Sequence, residues 1–184
     1  HLDREDAQFR CCEVNCGLMY PIVSGVPVLI DESRSLFTHE DFTARRETTF
    51  RSSDRLLKHT FGALMPRISR NIRAERNFAT LARLLLERSP SPRVLVIGGG
   101  ILGKGMQHLA GKPAIELVDS DVALGPRTAL VCDGHDLPFA DGSFDGVISQ
   151  AVLEHVLDPV RCVAELHRVL KPGGLVLGET PFMQ

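Results

Sequence analysis

Two periodicities organise the chain. Ala74, Phe78, Leu81, Ala82 and Leu85 recur three or four positions apart, which lines one side of a helix with apolar side chains. That helix is predicted to start at a cap on Ser69 or Asn71 and to stop at Ser89-Pro90-Ser91-Pro92. Arg93-Val94-Leu95-Val96-Ile97 follows as an unbroken apolar run, the kind buried on both faces of a parallel sheet. Strand-like runs at 114–119, 129–132, 146–149 and 175–178 then alternate with helix-like runs at 104–109 and 160–170. In the last of these Val160, Val163, Leu166 and Leu170 share a face. Alternating strands and helices predict an α/β fold with a doubly wound, mostly parallel sheet.

Before residue 69 the pattern is weaker. Apolar runs at 18–23 and 26–30, joined through Ser24-Gly25, predict a hairpin, and Pro21 and Pro27 should confine its strands to edges or bulges. Residues 32–68 are polar, with scattered Phe37, Phe42, Phe50 and Phe61, and read as a connector with helical pieces. The chain thus divides into a β segment at 1–31, a connector at 32–68 and the α/β core at 69–184.

Composition narrows the class of protein. With 184 residues, 43% hydrophobic and 24% charged, the chain has the balance of a globular domain rather than a disordered tail or a disulfide scaffold. No apolar run approaches the roughly 20 residues that cross a bilayer, so no membrane span is expected. The net charge of −2 hides an asymmetry: residues 1–90 carry 14 Lys/Arg against 12 Asp/Glu, and residues 91–184 carry 7 against 11. The basic residues crowd into 45–88 without interleaved aromatic stacking platforms, so they read as a solvated helix face and not as a nucleic-acid site. Cys11, Cys12, Cys16, Cys132 and Cys162 make an odd count without a signal-peptide pattern, which points to reduced thiols in a cytoplasm.

The densest chemistry lies after the first core strand. Gly98-Gly99-Gly100-Ile101-Leu102-Gly103 lets backbone approach a ligand with no Cβ in the way, and the N–H groups of a following helix would face an anionic group. The string also satisfies GxGxxG. About 20 positions on, Asp119 closes the second strand, where a carboxylate can accept both hydroxyls of a ribose. Asp121 is the second choice for that role, and Glu116 lies mid-strand. Together these residues predict a site for a nucleoside-containing cofactor.

The later motifs are more specific. Cys132-Asp133-Gly134-His135-Asp136-Leu137-Pro138-Phe139 is followed by Asp141-Gly142-Ser143-Phe144-Asp145-Gly146, then by Gln150-Ala151-Val152-Leu153-Glu154-His155, and finally by Glu165-Leu166-His167-Arg168-Val169-Leu170-Lys171-Pro172-Gly173-Gly174. In this order they resemble the class I S-adenosylmethionine-dependent methyltransferases, in the subgroup of quinone-biosynthesis C-methyltransferases, over about residues 93–182. The resemblance implies a Rossmann-like sheet ordered 3-2-1-4-5-7-6 and S-adenosyl-L-methionine as cofactor. It implies that Gly98, Gly99 and Gly100 line the methionine and ribose end, that Asp119 with Ser120 holds the ribose, and that Asp133, with Gly134 and His135 beside it, takes the adenine amino group. Leu137 would pack near the adenine ring and Gln150 would face the methionine portion and the substrate. Asp145 reads as structural, His155 as a packing residue on a helix start, and Lys171-Pro172-Gly173-Gly174 as a helix stop and tight turn. One position departs from the family: Val96 stands where an acidic residue is usual.

Cys12 to Cys16 and the following Gly17-Leu18-Met19-Tyr20-Pro21 are similar to the second half of a small zinc-ribbon-like domain. Two thiolates do not complete a tetrahedral site, so no metal is expected. The implied activity is methyl transfer to an unidentified acceptor, a small molecule or another. An NAD-dependent oxidoreductase is the alternative that the literal GxGxxG supports, although no Tyr-x-x-x-Lys accompanies it and Tyr20 is the one tyrosine. A non-catalytic S-adenosylmethionine-binding module is the other, suggested by Val96. With strand-like run 175–178 as the last, the core should lack its final two strands and leave an edge open to self-association.

Overall fold

The computed structural model describes residues 2–5, 8–13, 16–43 and 73–180. Four short antiparallel strands open the chain: β1 (Leu2–Glu5), β2 (Gln8–Cys11), β3 (Met19–Val23) and β4 (Val26–Pro27). The predicted hairpin is β3–β4, turning on Ser24 and Gly25, both with positive φ. The strands β1 and β2 have no counterpart in the sequence reading. Pro21 does not lie on an edge, because β3 is flanked by β2 and β4; its carbonyl accepts from the Val28 N–H at 2.9 Å. A short helix α1 (His39–Thr43) is one of the helical pieces expected in the connector. Phe50, Phe61 and the caps Ser69 and Asn71 lie outside the described residues.

The core begins with α2 (Ala74–Arg88), whose buried residues are the predicted stripe of Ala74, Phe78, Leu81, Ala82 and Leu85. Its arginines stay outside, as in the exposed Arg83–Glu87 pair one turn apart. Then come β5 (Arg93–Ile97), α3 (Gln107–Ala110), β6 (Glu116–Asp121), β7 (Leu130–Val131), β8 (Phe144–Gln150), α4 (Pro159–Val169) and β9 (Leu170–Glu179). The five core strands form one sheet in the order β7-β6-β5-β8-β9, with every pairing parallel. The chain therefore starts in the middle, builds outward to β7, and crosses back to β8. This is the Rossmann-like order 3-2-1-4-5, with its reversal between β5 and β8. Among the described residues β9 has a neighbouring strand on one side only.

Alternation along β5 explains why it reads as an unbroken apolar run. Val94 and Val96 pack with α2 and α3 on one face, and Leu95 and Ile97 pack with Leu166 and Val169 of α4 on the other. In α4 the buried face is Cys162, Leu166 and Val169, rotated from the expected stripe, and Val160 is 78% exposed. Asp158 caps this helix by accepting the Arg161 N–H at 2.9 Å, with Pro159 in its first turn. The helix stops at Val169, and Lys171-Pro172-Gly173-Gly174 loop out between the Phe144–Leu170 and Gly146–Leu175 pairs with Gly173 at a φ of 77°, the expected helix stop and tight turn. Asp145 is structural as expected: it accepts from the Arg93 N–H and from Lys171 Nζ, each at 2.9 Å.

The N-terminal segment does not stand apart from the core. Val28 bridges Val131 in parallel, and the Leu29 N–H donates to the Val131 carbonyl at 2.8 Å. Val28, Ile30, Phe42 and Val131 bury one another beneath Phe37 and Leu124. The edge of the core sheet at β7 is thereby covered by chain from just over a hundred residues upstream.

Candidate cofactor site

Open parallel sheets bind ligands beyond the carboxyl ends of their strands, where the strand order reverses. Here that place is a cavity of about 800 Å³ between the ends of β5, β6, β7 and β8. Of the ten positions expected at the site, Gly98, Gly100, Ser120, Asp133, Gly134, His135 and Gln150 line it. Gly99, Asp119 and Leu137 do not.

The glycine loop is shaped by contacts on both sides. Gly98 has a φ of 73°, and a Cβ there would sit 2.4 Å from a Val152 methyl. Gly99 continues the sheet, its N–H donating to the Ser120 carbonyl at 2.8 Å, and a Cβ there would crowd Asp119 at 3.0 Å. Gly103 leaves the space that the Gln150 side-chain oxygen occupies. The expected helix N-terminus is not at the loop: α3 begins at Gln107, and a turn over 103–106 intervenes. The loop backbone, rather than a helix end, therefore faces the cavity.

The two aspartates of β6 have different surroundings. The strand runs to Asp121, two residues beyond the predicted end. Asp119, 7% exposed, lies under the glycine loop with Oδ2 accepting from Arg127 Nη2 at 2.6 Å. Its Oδ1 and the Arg127 Nε are buried without a hydrogen-bond partner among the described residues. Burial pushes the Asp119 carboxyl above its ordinary pKa, against the pull of Arg127. Asp121 faces the cavity; its Oδ2 accepts from the Gly100 N–H at 2.9 Å and its Oδ1 from the Ala123 N–H at 3.1 Å. Ser120, between them in the strand and so on its other face, donates to the Val96 carbonyl at 2.9 Å.

Beyond β7, Asp133 is 4% exposed and better satisfied. Its Oδ1 accepts from the His135 N–H at 2.9 Å and from His135 Nδ1 at 2.7 Å, and its Oδ2 accepts from Ser35 Oγ at 2.5 Å. His135 Nε2 accepts from the Asp158 N–H at 3.2 Å, which puts the ring proton on Nδ1. Burial acts to raise the Asp133 carboxyl, but the donors from Ser35 and His135 outweigh it and hold the carboxyl below its ordinary pKa. The neighbouring thiols are desolvated, Cys132 pushed up to about 12 and Cys162 to about 11, so both stay protonated.

Three expectations change. Leu137 packs in the core with Phe144 and Leu166, its N–H donating to Glu165 Oε2 at 2.8 Å and its carbonyl accepting from Arg168, so it is walled off from the cavity. His155 is no packing residue: residues 151–157 form turns, and its side chain is 77% exposed at the cavity mouth. Val96 lies buried at the cavity floor, an apolar surface where the resemblance expects an acid. Gln150 donates to the Lys104 carbonyl at 3.2 Å and to Glu179 Oε2 at 2.8 Å, tying the glycine loop to the end of β9. Next to it Ala151 holds a φ of 54°, a left-handed conformation unusual for a residue with a Cβ and a form of strain found at binding sites.

The chain is similar in sequence to known methyltransferases. Residues 104–178 match the sequence model of a methyltransferase domain family. The match lies within the α/β core, from the turn after the glycine loop to β9. An uncharacterized methyltransferase of Mycobacterium sp. (strain JLS) is 34% identical over 146 residues, covering 73% of this chain and 58% of that protein. The ubiquinone/menaquinone biosynthesis C-methyltransferase UbiE of Desulfotalea psychrophila is 35% identical over 99 residues, covering 53% of this chain and 36% of that protein. Among solved structures, phosphoethanolamine N-methyltransferase 2 of Haemonchus contortus, in complex with S-adenosyl-L-methionine, aligns with a TM-score of 0.42 at 27% identity over 54% of this chain and 27% of that one. The chain thus spans between about a quarter and three fifths of the length of the first curated relatives it matches.

Leu36, Phe37, Leu124 and Gly125 also line the site and were not singled out in the sequence. Gly125 had a signal, a Gly-Pro pair after β6. A Cβ there would meet the Gly100 carbonyl oxygen at 2.5 Å and two more backbone atoms at 2.8 Å. Leu36 and Phe37 had none, because nothing local ties residue 36 to a loop about a hundred positions later.

Proposed function

We propose that the methyltransferase core binds S-adenosyl-L-methionine in this cavity and that the protein transfers its methyl group to a small-molecule acceptor. The observation that carries the proposal is the pairing of two strand-end carboxylates, Asp121 and Asp133, on one cavity beside a glycine loop at the sheet's reversal. The methyltransferase-domain match over 104–178 supports it. The donor set suits the ligand: Asp121 has acceptor capacity left for ribose hydroxyls, and Asp133 for the adenine amino group. The cavity of about 800 Å³ falls within the usual range for cofactor sites.

In this reading Gly98, Gly99 and Gly100 bring backbone close to the methionine and ribose end. Asp121, rather than Asp119, holds the ribose with Ser120 beside it, and Asp133, Gly134 and His135 bound the adenine. Leu137 supports that loop from behind. Gln150 faces the methionine portion and the acceptor. The cofactor supplies an activated methyl group on a sulfonium. The protein's part is alignment and exclusion of water by the apolar walls at Val96, Val152 and Leu153. The five free thiols fit a reducing compartment such as the cytoplasm. Among the described residues no helix is long and apolar enough to cross a membrane.

Calorimetric titration tests the proposal directly. S-adenosylmethionine and S-adenosylhomocysteine should bind, with NAD showing no saturable heat. Binding of NAD in preference to both would overturn it in favour of hydride chemistry. Binding without turnover on a broad acceptor panel would reduce the chain to a binding module.

A further inference from the structure

The nucleoside end of the cavity is completed by chain that lies outside the methyltransferase-domain match. After Leu29 joins the edge of β7, residues 31–37 fold back over the loop that carries Asp133. Asp31 Oδ1 gathers the N–H and hydroxyl of Ser33 at 3.0 and 2.7 Å and so turns the chain. Arg34 then pairs with Asp136 at 2.7 Å, and its carbonyl accepts from Arg161 of α4 at 3.5 Å. These contacts deliver Ser35 to Asp133 and set Leu36 and Phe37 in the cavity wall.

Ser35 is committed on both sides. Its hydroxyl proton goes to Asp133 Oδ2 at 2.5 Å, and its oxygen accepts from the Phe37 N–H at 3.2 Å. A carboxylate offers about four acceptor directions. His135 takes two on Oδ1, Ser35 takes one on Oδ2, and one remains on Oδ2. The remaining direction accepts an N–H and repels a carbonyl oxygen. Leu36, 72% exposed, lines the same cavity with an apolar side chain, the kind of surface a flat base covers. Phe37 is pinned from behind by Phe42, with ring centroids 6.3 Å apart.

We propose that residues 31–37 are the base-side wall of the cofactor site, and that Ser35 is a positioning residue that aims Asp133 at the amino group of an aminopurine. The proposal rests on the reading of the cavity as a nucleoside-cofactor site. It makes the N-terminal segment a working part of that site and not an appended domain.

The test is calorimetry on the full chain with S-adenosylhomocysteine and with S-inosylhomocysteine, whose 6-oxo group replaces the 6-amino group. The unsubstituted chain should prefer the amino ligand by about tenfold or more, the scale of one charge-assisted hydrogen bond. Ser35→Ala should shrink that preference several-fold, and Ser35→Thr, which keeps the hydroxyl, should restore it. Leu36→Ser should weaken both ligands alike and leave their ratio unchanged. A purely structural Ser35 would instead lower the thermal midpoint while leaving the ratio intact, and that result overturns the proposal. So does a Ser35→Thr chain that folds but does not recover the preference. A chain that binds neither nucleoside overturns the cofactor reading, and this proposal with it; one that binds both, with Ser35→Ala indistinguishable, overturns this proposal alone.

Discussion

The neighbouring strands β6 and β7 end at the same cavity, and each brings aspartates there, but they treat them in opposite ways. At the end of β6 the chain supplies its own partners. Asp119 meets Arg127 eight residues on, Asp121 meets the backbone of Gly100 and Ala123, and one oxygen of Asp119 stays buried without a donor among the described residues. At the end of β7 Asp133 draws three donors, one of them from Ser35, 98 positions away. The Asp119 carboxyl is pushed up and the Asp133 carboxyl held down, although both are largely buried. Burial alone therefore does not decide the state of a site carboxylate; the number of donors that reach it does.

The comparison can be broken most forcefully at the β6 side. Gly125→Ala drives a Cβ into the backbone of Gly100, where no side chain can move aside. Repacking should cost about 1–3 kcal/mol in a urea melt, and S-adenosylhomocysteine binding should fall below detection. A smaller cut separates the two β6 aspartates. Asp121→Asn should weaken S-adenosylhomocysteine by about ten- to a hundredfold in calorimetry, the loss of charge-assisted hydrogen bonds, and Asp119→Asn should leave it nearly unchanged. A large loss at Asp119 with little at Asp121 would return the ribose to Asp119.

Arg127→Met removes the single donor that Asp119 has among the described residues. A loss of about 1–3 kcal/mol of stability is expected from denaturant unfolding, with Asp119→Asn in the same chain recovering part of it. The mildest test follows pH. Because the Asp133 carboxyl is held below its ordinary value, its contribution is fully present above that value and is lost as pH falls through the lowered one. The stability gap between the unsubstituted chain and Asp133→Asn should therefore narrow below about pH 4. Asp119 has the opposite sign: its ionised form is disfavoured in the folded chain, so acidification through the raised value recovers stability. Asp119→Asn should be at least as stable as the unsubstituted chain at neutral pH, with the gap closing as pH falls.

Much of the core was legible because its signals are local. The stripe of α2 is a matter of spacing within 15 residues, and the apolar run of β5 coincides residue for residue with the strand. The choice of Asp119 over Asp121 followed from ending the second strand at residue 119. The strand in fact runs to Asp121, and the same rule, an acid at the strand's carboxyl end, then selects Asp121. In α4 Val160 and Val163 keep the spacing of a buried face, yet the helix turns both outward while Leu166 stays inside. Around His155 the apolar neighbours have the composition of a helix start, and the chain makes turns there.

What the sequence by itself determined is the alternation of strand and helix, the glycine loop after β5 and the presence of acids at the ends of β6 and β7. Those features follow from side-chain periodicity and backbone freedom, which act over a few residues. Only the tertiary structure decided which acid faces the cavity, that Leu137 lies behind it, and that residues 31–37 close its nucleoside end. These depend on contacts between segments 20 to 100 positions apart, and such contacts arise only when the sheet brings the strand ends together.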